Sequence, residues 1–503
     1  MKRILTTVLV LFYATITVNG QIEFAKIFSD NMILQRNKPI KIWGVAKPGS
    51  IVEVFKGKVK KSTITKFDST WLVVFKAEEA NPYPQNIKVK SNSDSSSIKN
   101  ILIGDVWLCI GQSNMEWPMS KEDHFIQEKS NANINLLRWY NPTYAGKNTY
   151  NILFSDAIKA NLNTTNFYMG SWQASDSATF KSMSAVAYYF GKKIINDIHI
   201  PIGLINLSMG GAAIESFISE EALRSSKKFA NKIIGNWLYN EALPVWIRER
   251  GLQNLGKIDH SVTRDDLTTN HPFKPGFAFE SGIRPIINLP IAGVLCYQGE
   301  SNAQELDRVF EYGALIQLLI QDYRAKWKQP SLPFYFTQLS SIDTLKYKGH
   351  FWPQFRNEQR KIVNEIPYSG MAVTSDFGFK NDVHPTNKKI VGERLALIAL
   401  SKTYFKNIVY SGPEPSKAIF LKNKIIISFK HTGGLLKTAD SNVLHGFSLD
   451  GIHDAMATIK KQEIIIFTNK KPDNIYYGWQ PYSIGNLINK SLLPTSTFKI
   501  QVK

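Results

Sequence analysis

Short runs in which apolar and polar residues alternate occupy the beginning and the end of the chain. Near the N-terminus they are residues 38–44, 50–55 and 71–75, and near the C-terminus residues 418–421, 424–428 and 463–467. Alternation with a period of two, bounded by turn-forming residues, is typical of strands with one buried face. The pattern predicts an all-β domain over residues 21–100 and a second one over residues 406–503.

Between these two parts, residues 101–405 alternate continuous apolar runs with helical patterns. The apolar runs of strand length are residues 106–110, 202–207, 290–297, 333–337 and 370–374. Strands that are apolar throughout and separated by helical segments indicate βαβ units around a parallel sheet buried on both faces. Residues 216–285 interrupt the alternation with a helical stretch and a polar segment. We therefore expect an insertion there, close to the functional site.

The first twenty residues have the pattern of a secretory signal peptide. Lys2 and Arg3 precede an apolar stretch over residues 4–18, and modest side chains follow at the expected cleavage site. No later run is apolar for long enough to cross a bilayer. The sequence thus predicts an exported protein, periplasmic or secreted, with no stable membrane span after residues 1–20 are removed.

Composition excludes several classes of partner and cofactor. Hydrophobic residues make up 43% and charged residues 20% of the chain, as in ordinary globular proteins, and the formal net charge is +20. The lysines are dispersed and form no basic block interleaved with aromatic residues, so we expect no nucleic-acid partner. Cys109 and Cys296 both lie inside apolar runs, which predicts two buried thiols on neighbouring strands. No spacing of ligands or glycines indicates a metal or another cofactor.

Three clusters of small and polar residues directly follow three of the predicted strands. They comprise residues 111–114, 208–211 and 298–302. Each cluster by itself resembles an ordinary turn. Ligands of open α/β sheets bind at the carboxyl ends of the strands, so neighbouring strands would bring the three loops together at one edge. Their regular placement therefore predicts a functional site.

The residue types in these clusters fit acyl transfer from an ester. Ser113 is a candidate nucleophile, and a serine hydroxyl needs an adjacent base. Backbone N–H groups at Ser113 and Gly211 and the amide of Asn302 could donate to the oxyanion, and one such donor is worth about 3 kcal/mol. His384 is the candidate base, because the adjoining proline restricts its backbone, and Asp382 could orient the imidazole.

Four segments carry a family resemblance. They are residues 105–117, with the sequence Gly-Gln-Ser-Asn, residues 210–215, residues 297–302, with Gln-Gly-Glu-Ser-Asn, and residues 382–385. Met115 stands where the Gly-x-Ser-x-Gly elbow of α/β-hydrolases requires glycine. The set resembles the sialate O-acetylesterase family, carbohydrate esterases of the SGNH or GDSL-like type. Residues 31–36 and 477–479 resemble its N- and C-terminal β-domains.

The resemblance implies a flavodoxin-like SGNH hydrolase core between two all-β domains, and an enzyme that needs no metal or other cofactor. It implies removal of O-acetyl groups from glycans, typically O-acetylated sialic acid, through an acetyl-serine intermediate. Ser113 would be the nucleophile, His384 the base, and Ser113, Gly211 and Asn302 the oxyanion hole. Further residues of the motifs would contact the substrate or support the loops, namely Gln112, Asn114, Gln298 and Glu300.

The third member of the triad is open at this stage. The broader superfamily places its aspartate three residues before the histidine, where this chain has Asn381. Asp382 lies two residues before His384, and Asp376 or a backbone carbonyl could serve instead.

Three other functions fit parts of the sequence. The same chemistry could act on acetylated xylan or pectin, and a non-catalytic glycan-binding protein could retain the fold. A glycosidase could use Glu116, Glu215 or Glu300 as paired carboxylates. It would leave Ser113 and His384 without roles. The sequence does not indicate an oligomeric state.

Overall fold

The computed structural model describes residues 21–256, 269–344 and 347–503. The predicted signal peptide, residues 1–20, lies outside the described residues, as does part of the predicted insertion. Within the described ranges, no helix is both long and apolar enough to cross a membrane.

The N-terminal part is built from strands alone. They are β1 (Glu23–Phe24), β2 (Ile33–Gln35), β3 (Ile40–Val45), β4 (Ile51–Lys56), β5 (Val59–Ile64), β6 (Thr70–Phe75), β7 (Asn81–Ser91) and β8 (Asp94–Gly111). Strands β1, β3 and β6 form one antiparallel sheet. Strands β5, β4 and β7 pair antiparallel in that order, and β7 pairs with β8.

The central part alternates strands and helices, as its hydrophobic pattern predicts. The strands are β9 (Leu137–Tyr140), β10 (Thr143–Tyr144), β11 (Tyr168–Met169), β12 (Trp172–Ala174), β13 (Ile202–Asn206), β14 (Gly293–Tyr297), β15 (Phe334–Thr337), β16 (Ser341–Ile342), β17 (Ser369–Ala372) and β18 (Gly378–Phe379). The α-helices are α1 (Ser113–Glu116), α2 (Phe125–Lys129), α3 (Asp156–Ala160), α4 (Ala185–Ile198), α5 (Glu220–Ser225), α6 (Val245–Leu255), α7 (Leu306–Lys326), α8 (Trp352–Glu365) and α9 (Lys388–Lys402). Short 3₁₀ or π-helical turns occupy Met119–Lys121, Phe180–Ser182, Ile214–Phe217, Ala230–Ile233, Phe279–Ile283 and Arg284–Ile286.

The central sheet has the strand order β12-β9-β13-β8-β14-β15-β17. Every neighbouring pair is parallel except β12 with β9. All five strands predicted in this part of the chain are present, which confirms the mixed α/β class and the parallel sheet. Strands β9 and β12 were not predicted. In β9, Arg138 interrupts a short apolar run, and the structure accommodates its guanidinium on the carbonyls of Asn135 and Leu137.

Strand β8 joins the N-terminal strands to the central sheet. Its first part pairs with β7, whereas its last part lies between β13 and β14. At the junction, Gln35 donates to the Asp105 carboxylate at 2.7 Å and accepts from the N–H of Val106 at 2.8 Å. Arg36 donates to the same carboxylate at 3.0 Å. The Gln35-Arg36 pair that contributed to the family resemblance thus fastens the N-terminal strands to the strand that leads to Ser113.

The hydrophobic core is continuous across this junction. One buried cluster extends from Ile22 to Leu400 and includes both the N-terminal strands and the central sheet. The sequence-predicted boundary at residues 100 and 101 falls inside β8, whereas the one at residue 405 lies between α9 and the C-terminal strands. Cys109 and Cys296 are buried free thiols on neighbouring strands, which confirms that prediction.

The C-terminal part is again made of strands. They are β19 (Glu414–Leu421), β20 (Lys424–Lys430), β21 (Leu436–Thr438), β22 (Phe447–Ser448), β23 (Ala457–Lys460), β24 (Glu463–Phe467), β25 (Asn474–Tyr477), β26 (Leu487–Asn489) and β27 (Phe498–Gln501). They form a four-stranded sheet, a three-stranded sheet and a strand pair around a separate core. Arg356 of α8, which is fully buried, donates to the carbonyls of Gly478, Gln480 and Pro481. This contact fixes the loop after β25 against the central part.

We predict that Gln35→Ala destabilises the protein by about 1–3 kcal/mol, because it leaves the N–H of Val106 buried without an acceptor and removes a donor from Asp105. Urea unfolding would measure the change. Gln127→Ala, which replaces an exposed glutamine of α2, is the matched control. Equal midpoints for the two variants would contradict the anchoring role of Gln35.

Candidate active site

The end of β8 is shaped by a glycine. Gly111 has a φ of 132°, and a Cβ at this position would lie 2.0 Å from the carbonyl oxygen of Tyr297 on β14. Only glycine allows β8 and β14 to approach so closely with this backbone conformation. The chain then turns at Gln112, and Ser113 becomes the first residue of α1. Ser113 therefore stands at the carboxyl edge of the central sheet, as its sequence position predicts.

The structure brings Ser113, His384 and Asp382 into one hydrogen-bonded row. The Nε2 atom of His384 lies 2.8 Å from Oγ of Ser113, and its Nδ1 lies 2.8 Å from Oδ1 of Asp382. The Asp382 carboxylate also accepts from the backbone N–H of His384 at 2.9 Å. Asp376, the alternative third member, is occupied elsewhere, because both its oxygens lie 2.7 Å from the Arg394 guanidinium. The arrangement has the geometry of a nucleophile, a base and a group that orients the base.

The environment of His384 favours the neutral imidazole that a base requires. The Trp117 ring stacks on the imidazole with a centroid distance of 5.3 Å and an angle of 21°. Burial lowers the pKa of His384 below its ordinary value, and the hydrogen bond and charge of Asp382 offset part of that decrease. A base with a lowered pKa stays unprotonated into mildly acidic solution.

The second glycine loop lies beside the serine. A Cβ built on Gly210 would be 3.7 Å from the Ser113 Cβ. The N–H of Gly210 donates to Glu116 at 2.7 Å, and the Glu116 carboxylate also pairs with Lys147 at 2.9 Å. Among the described residues, the N–H groups of Ser113 and Gly211 have no protein acceptor. They are thus available to a ligand, while Glu116 holds the loop that presents one of them.

Asn302 occupies a different position from the one its predicted role suggests. It is fully buried and does not belong to the lining of the cavity that contains Ser113. Its Nδ2 donates to Glu215 at 3.0 Å, and its Oδ1 accepts from Ile214 N at 3.1 Å and from Gln298 at 2.8 Å. Glu215 is in turn paired with buried Lys232 at 3.0 Å. Any contribution of Asn302 to an oxyanion hole therefore depends on the second N–H of its amide.

The two glutamines of the motifs hold loops together. Gln112 lines the cavity, and its Oε1 accepts from the N–H of Ser301 at 3.3 Å. Gln298 is buried and donates to Asn302. The structure thus places Gln112 where it could meet a substrate and Gln298 where it supports the loops.

Asn114, Glu300 and the fully buried Lys388 form a polar network behind the serine. Asn114 donates to Glu300 at 2.5 Å and to the carbonyl oxygen of Val383 at 3.0 Å, and it accepts from Lys388. Burial raises the pKa of the Glu300 carboxyl to about 7 and lowers that of the Lys388 ammonium to about 7. The network ties the serine helix to the residue that precedes His384. Lys388 was missed from the sequence, because a lysine at the start of a helix is ordinarily solvated.

Ser113 and His384 open into a cavity of about 720 Å³. Aromatic side chains in its wall are Trp117, Tyr150, Trp246 and Tyr347, and charged ones are Glu116, Lys121, Lys147, Lys181 and Arg250. Trp246 and Arg250 come from α6, within residues 216–285, where the sequence predicts an insertion. Sequence patterns did not single out these two residues. Within the described ranges, no group of three or more His, Cys, Asp or Glu residues could hold a metal.

Comparisons with known proteins show which families this chain is similar to. A family model described as a carbohydrate esterase, sialic acid-specific acetylesterase, matches residues 280–401. The sialate O-acetylesterases of Pongo abelii and Homo sapiens are 29% and 28% identical over 441 residues, and each alignment covers 81% of this chain and 76% of the relative. A crystal structure of a carbohydrate acetylesterase from Xanthomonas citri superposes with a TM-score of 0.77 at 27% identity, and the alignment covers 95% of this chain and 99% of that one.

These similarities confirm the predicted class of enzyme, a carbohydrate O-acetylesterase. They also confirm the narrower resemblance to the sialate O-acetylesterase family that the four motif segments indicated.

We predict that the rate at which a fluorophosphonate labels Ser113 rises with pH through an apparent pKa below 6.5, because labelling requires neutral His384. Asp382→Asn removes a group that raises this pKa, so the apparent pKa of labelling should become still lower. The maximal rate falls by about 10²- to 10⁴-fold as the base loses its orienting partner. An apparent pKa of labelling above 6.5, or an apparent pKa that Asp382→Asn raises, would contradict this account of the base.

Proposed function

We propose that the protein is an exported serine esterase that removes O-acetyl groups from glycans, with O-acetylated sialic acid as its substrate. The observation that carries the proposal is the 2.8 Å contact between His384 Nε2 and Ser113 Oγ at the wall of a cavity large enough for a sugar. The similarity to sialate O-acetylesterases supports the choice of sugar. The pattern of residues 1–20 supports export to the periplasm or the exterior.

We assign the central part to the SGNH type of hydrolase. Without the outer strands β9 and β12, the sheet order is β13-β8-β14-β15-β17. In chain order this is 2-1-3-4-5, the flavodoxin-like order, whose ligand site lies beyond the carboxyl end of the first strand. Ser113 follows the first of these five strands, so its position supports the assignment. The N-terminal and C-terminal strands would form the two flanking β-domains.

In the proposed mechanism, His384 takes the Ser113 proton on Nε2 as Oγ attacks the acetyl carbonyl carbon. The tetrahedral intermediate collapses, and the imidazolium returns the proton to the departing sugar oxygen. The sugar leaves with a free hydroxyl and Ser113 keeps the acetyl group. His384 then deprotonates a water molecule that attacks this ester, and acetate leaves as Ser113 regains its proton. Asp382 keeps the proton of Nδ1 in place through both halves.

Negative charge develops on the acetyl oxygen in both tetrahedral intermediates. The free N–H groups of Ser113 and Gly211 would receive it, since preorganised donors act strongly in a water-poor site. The second N–H of the Asn302 amide would be the third donor. Gly211 has a φ of 82°, a backbone conformation that favours glycine, which explains why the loop carries this residue.

Neutral acetylated polysaccharides are the second candidate substrates. The aromatic walls of the cavity, Trp117, Trp246 and Tyr347, could stack on sugar rings of any charge. A non-catalytic glycan-binding protein would have no use for the Ser113–His384 contact. The substrate panel below separates these possibilities.

We predict that wild-type protein releases acetate from an O-acetylated sialoglycoprotein and that Ser113→Ala abolishes this release. An enzymatic acetate assay would also test acetylated xylan, pectin and 4-nitrophenyl acetate. Ser130→Ala, at an exposed serine that does not line the cavity, should leave the rate unchanged. Activity on acetylated xylan alone would identify a neutral polysaccharide as the substrate in place of sialic acid. Absence of turnover on every ester, together with retained glycan binding, would refute the esterase.

We predict that Asn302→Ala lowers kcat by about 10²- to 10³-fold with little change in KM, because an oxyanion donor acts mainly in the transition state. Steady-state kinetics on the acetyl ester would measure both constants, and circular dichroism would verify folding. Asn131→Ala, at an exposed asparagine, is the control. A folded Asn302→Ala protein with kcat within threefold of wild type would remove Asn302 from the oxyanion hole.

A further inference from the structure

Arg250 is a buried cation that forms no ion pair with any residue the structure describes. It lines the same cavity as Ser113, and only 9% of its surface is exposed. Its Nε and Nη1 atoms are buried and have no hydrogen-bond acceptor among the described residues. Buried guanidinium groups are ordinarily paired or fully hydrogen-bonded, because desolvating an unpaired charge is costly. An anionic ligand would supply the missing acceptors.

The side chain is held in place by contacts that leave its donors free. The guanidinium carbon lies 4.5 Å from the centre of the Trp246 ring, one helical turn earlier on α6. The indole Nε1 of Trp246 donates to the carbonyl oxygen of Gly211 at 3.1 Å. Stacking on an aromatic face fixes the plane of a guanidinium without using its N–H groups. Arg250 is therefore positioned next to the glycine loop and prepared for an acceptor.

The charges around the cavity favour the same kind of ligand. Lys147, another cation in the wall, is already neutralised by Glu116. Lys121 and Lys181 are exposed at the wall, and Glu116 is the one carboxylate in the lining that the described residues form. A cleft lined mainly by one sign of charge concentrates ligands of the opposite sign.

We propose that Arg250 binds the carboxylate of an acidic sugar whose acetyl ester is presented to Ser113, so that the substrates are O-acetylated acidic sugars. The planar fork of arginine matches a carboxylate with two parallel N–H···O bonds. The inference rests on the proposed function and deepens it. It assigns the recognition of substrate charge to one residue of the insertion, separate from the groups that perform the chemistry.

The test compares an O-acetylated sialoside with its carboxamide, which has the same shape and acetyl group but no charge. We expect Arg250→Gln to raise KM for the acid about 10- to 100-fold with kcat little changed, since a charge-assisted bidentate contact is lost. KM for the carboxamide should stay within threefold of wild type. The KM of Arg250→Lys for the acid should lie between those of wild type and Arg250→Gln, because lysine keeps the charge but lacks the planar fork of arginine.

Arg248→Gln is the matched control, because Arg248 lies on the same helix and outside the cavity lining. It should leave the constants for both substrates unchanged. If wild type and Arg250→Gln have the same KM for the acid, or if wild type handles acid and carboxamide alike, the carboxylate site is refuted while the esterase stands. If wild type releases no acetate from the acid, from the carboxamide or from neutral acetyl esters, the proposed function itself is refuted.

Discussion

The structure depends on one strand that is enclosed on all sides. Over its last residues, β8 has parallel partners on both edges, and residues 101–110 are buried. Cβ atoms at Gly104 and Gly111 would lie 2.0 Å from the carbonyl oxygens of Pro201 and Tyr297. The strand therefore cannot slide by one residue, because a slip would place bulkier side chains against these carbonyls and reverse its buried faces. This fixed register determines where Ser113 emerges from the sheet.

A second constraint brings the histidine to the serine. Asn114, adjacent to Ser113, bonds to the Val383 carbonyl next to His384, and it also joins Glu300 to Lys388. In a low-dielectric interior such a network is strong when satisfied and costly when broken, so it favours a single arrangement of the two loops. The Ser113–His384 distance thus follows from hydrogen bonds one residue away from each partner. Ester hydrolysis by a serine and a histidine needs that kind of support, since a small displacement of the base slows the reaction strongly.

The sequence predicted the parts of the molecule whose residue types are distinctive in themselves. Continuous apolar runs predicted the five parallel strands, and the small polar clusters that follow them pointed to Ser113 and Gly211 as candidates. Spacing alone did not favour Asp382 over Asp376. In the structure Asp382 contacts His384, whereas Asp376 binds Arg394. Burial was the information that the sequence lacked. Surface-type residues such as Lys388 and Arg250 are buried only because segments distant in the chain enclose them, and Asn302 is turned toward Glu215 for the same reason.

Helix α6 connects the proposed binding of the substrate acid to the glycine loop. The Gly211 carbonyl accepts from Trp246 and from the Ser301 hydroxyl, so the peptide that follows the Gly211 N–H is held from two sides. Trp246 also supports Arg250. A substrate acid bound at Arg250 would therefore contact a side chain that packs on the residue holding the glycine loop. Because that loop is already held from two sides without a substrate, the contact with the acid would stabilise the bound ground state and the transition state equally. Recognition by α6 would then lower KM and leave the rate of the chemical step nearly unchanged.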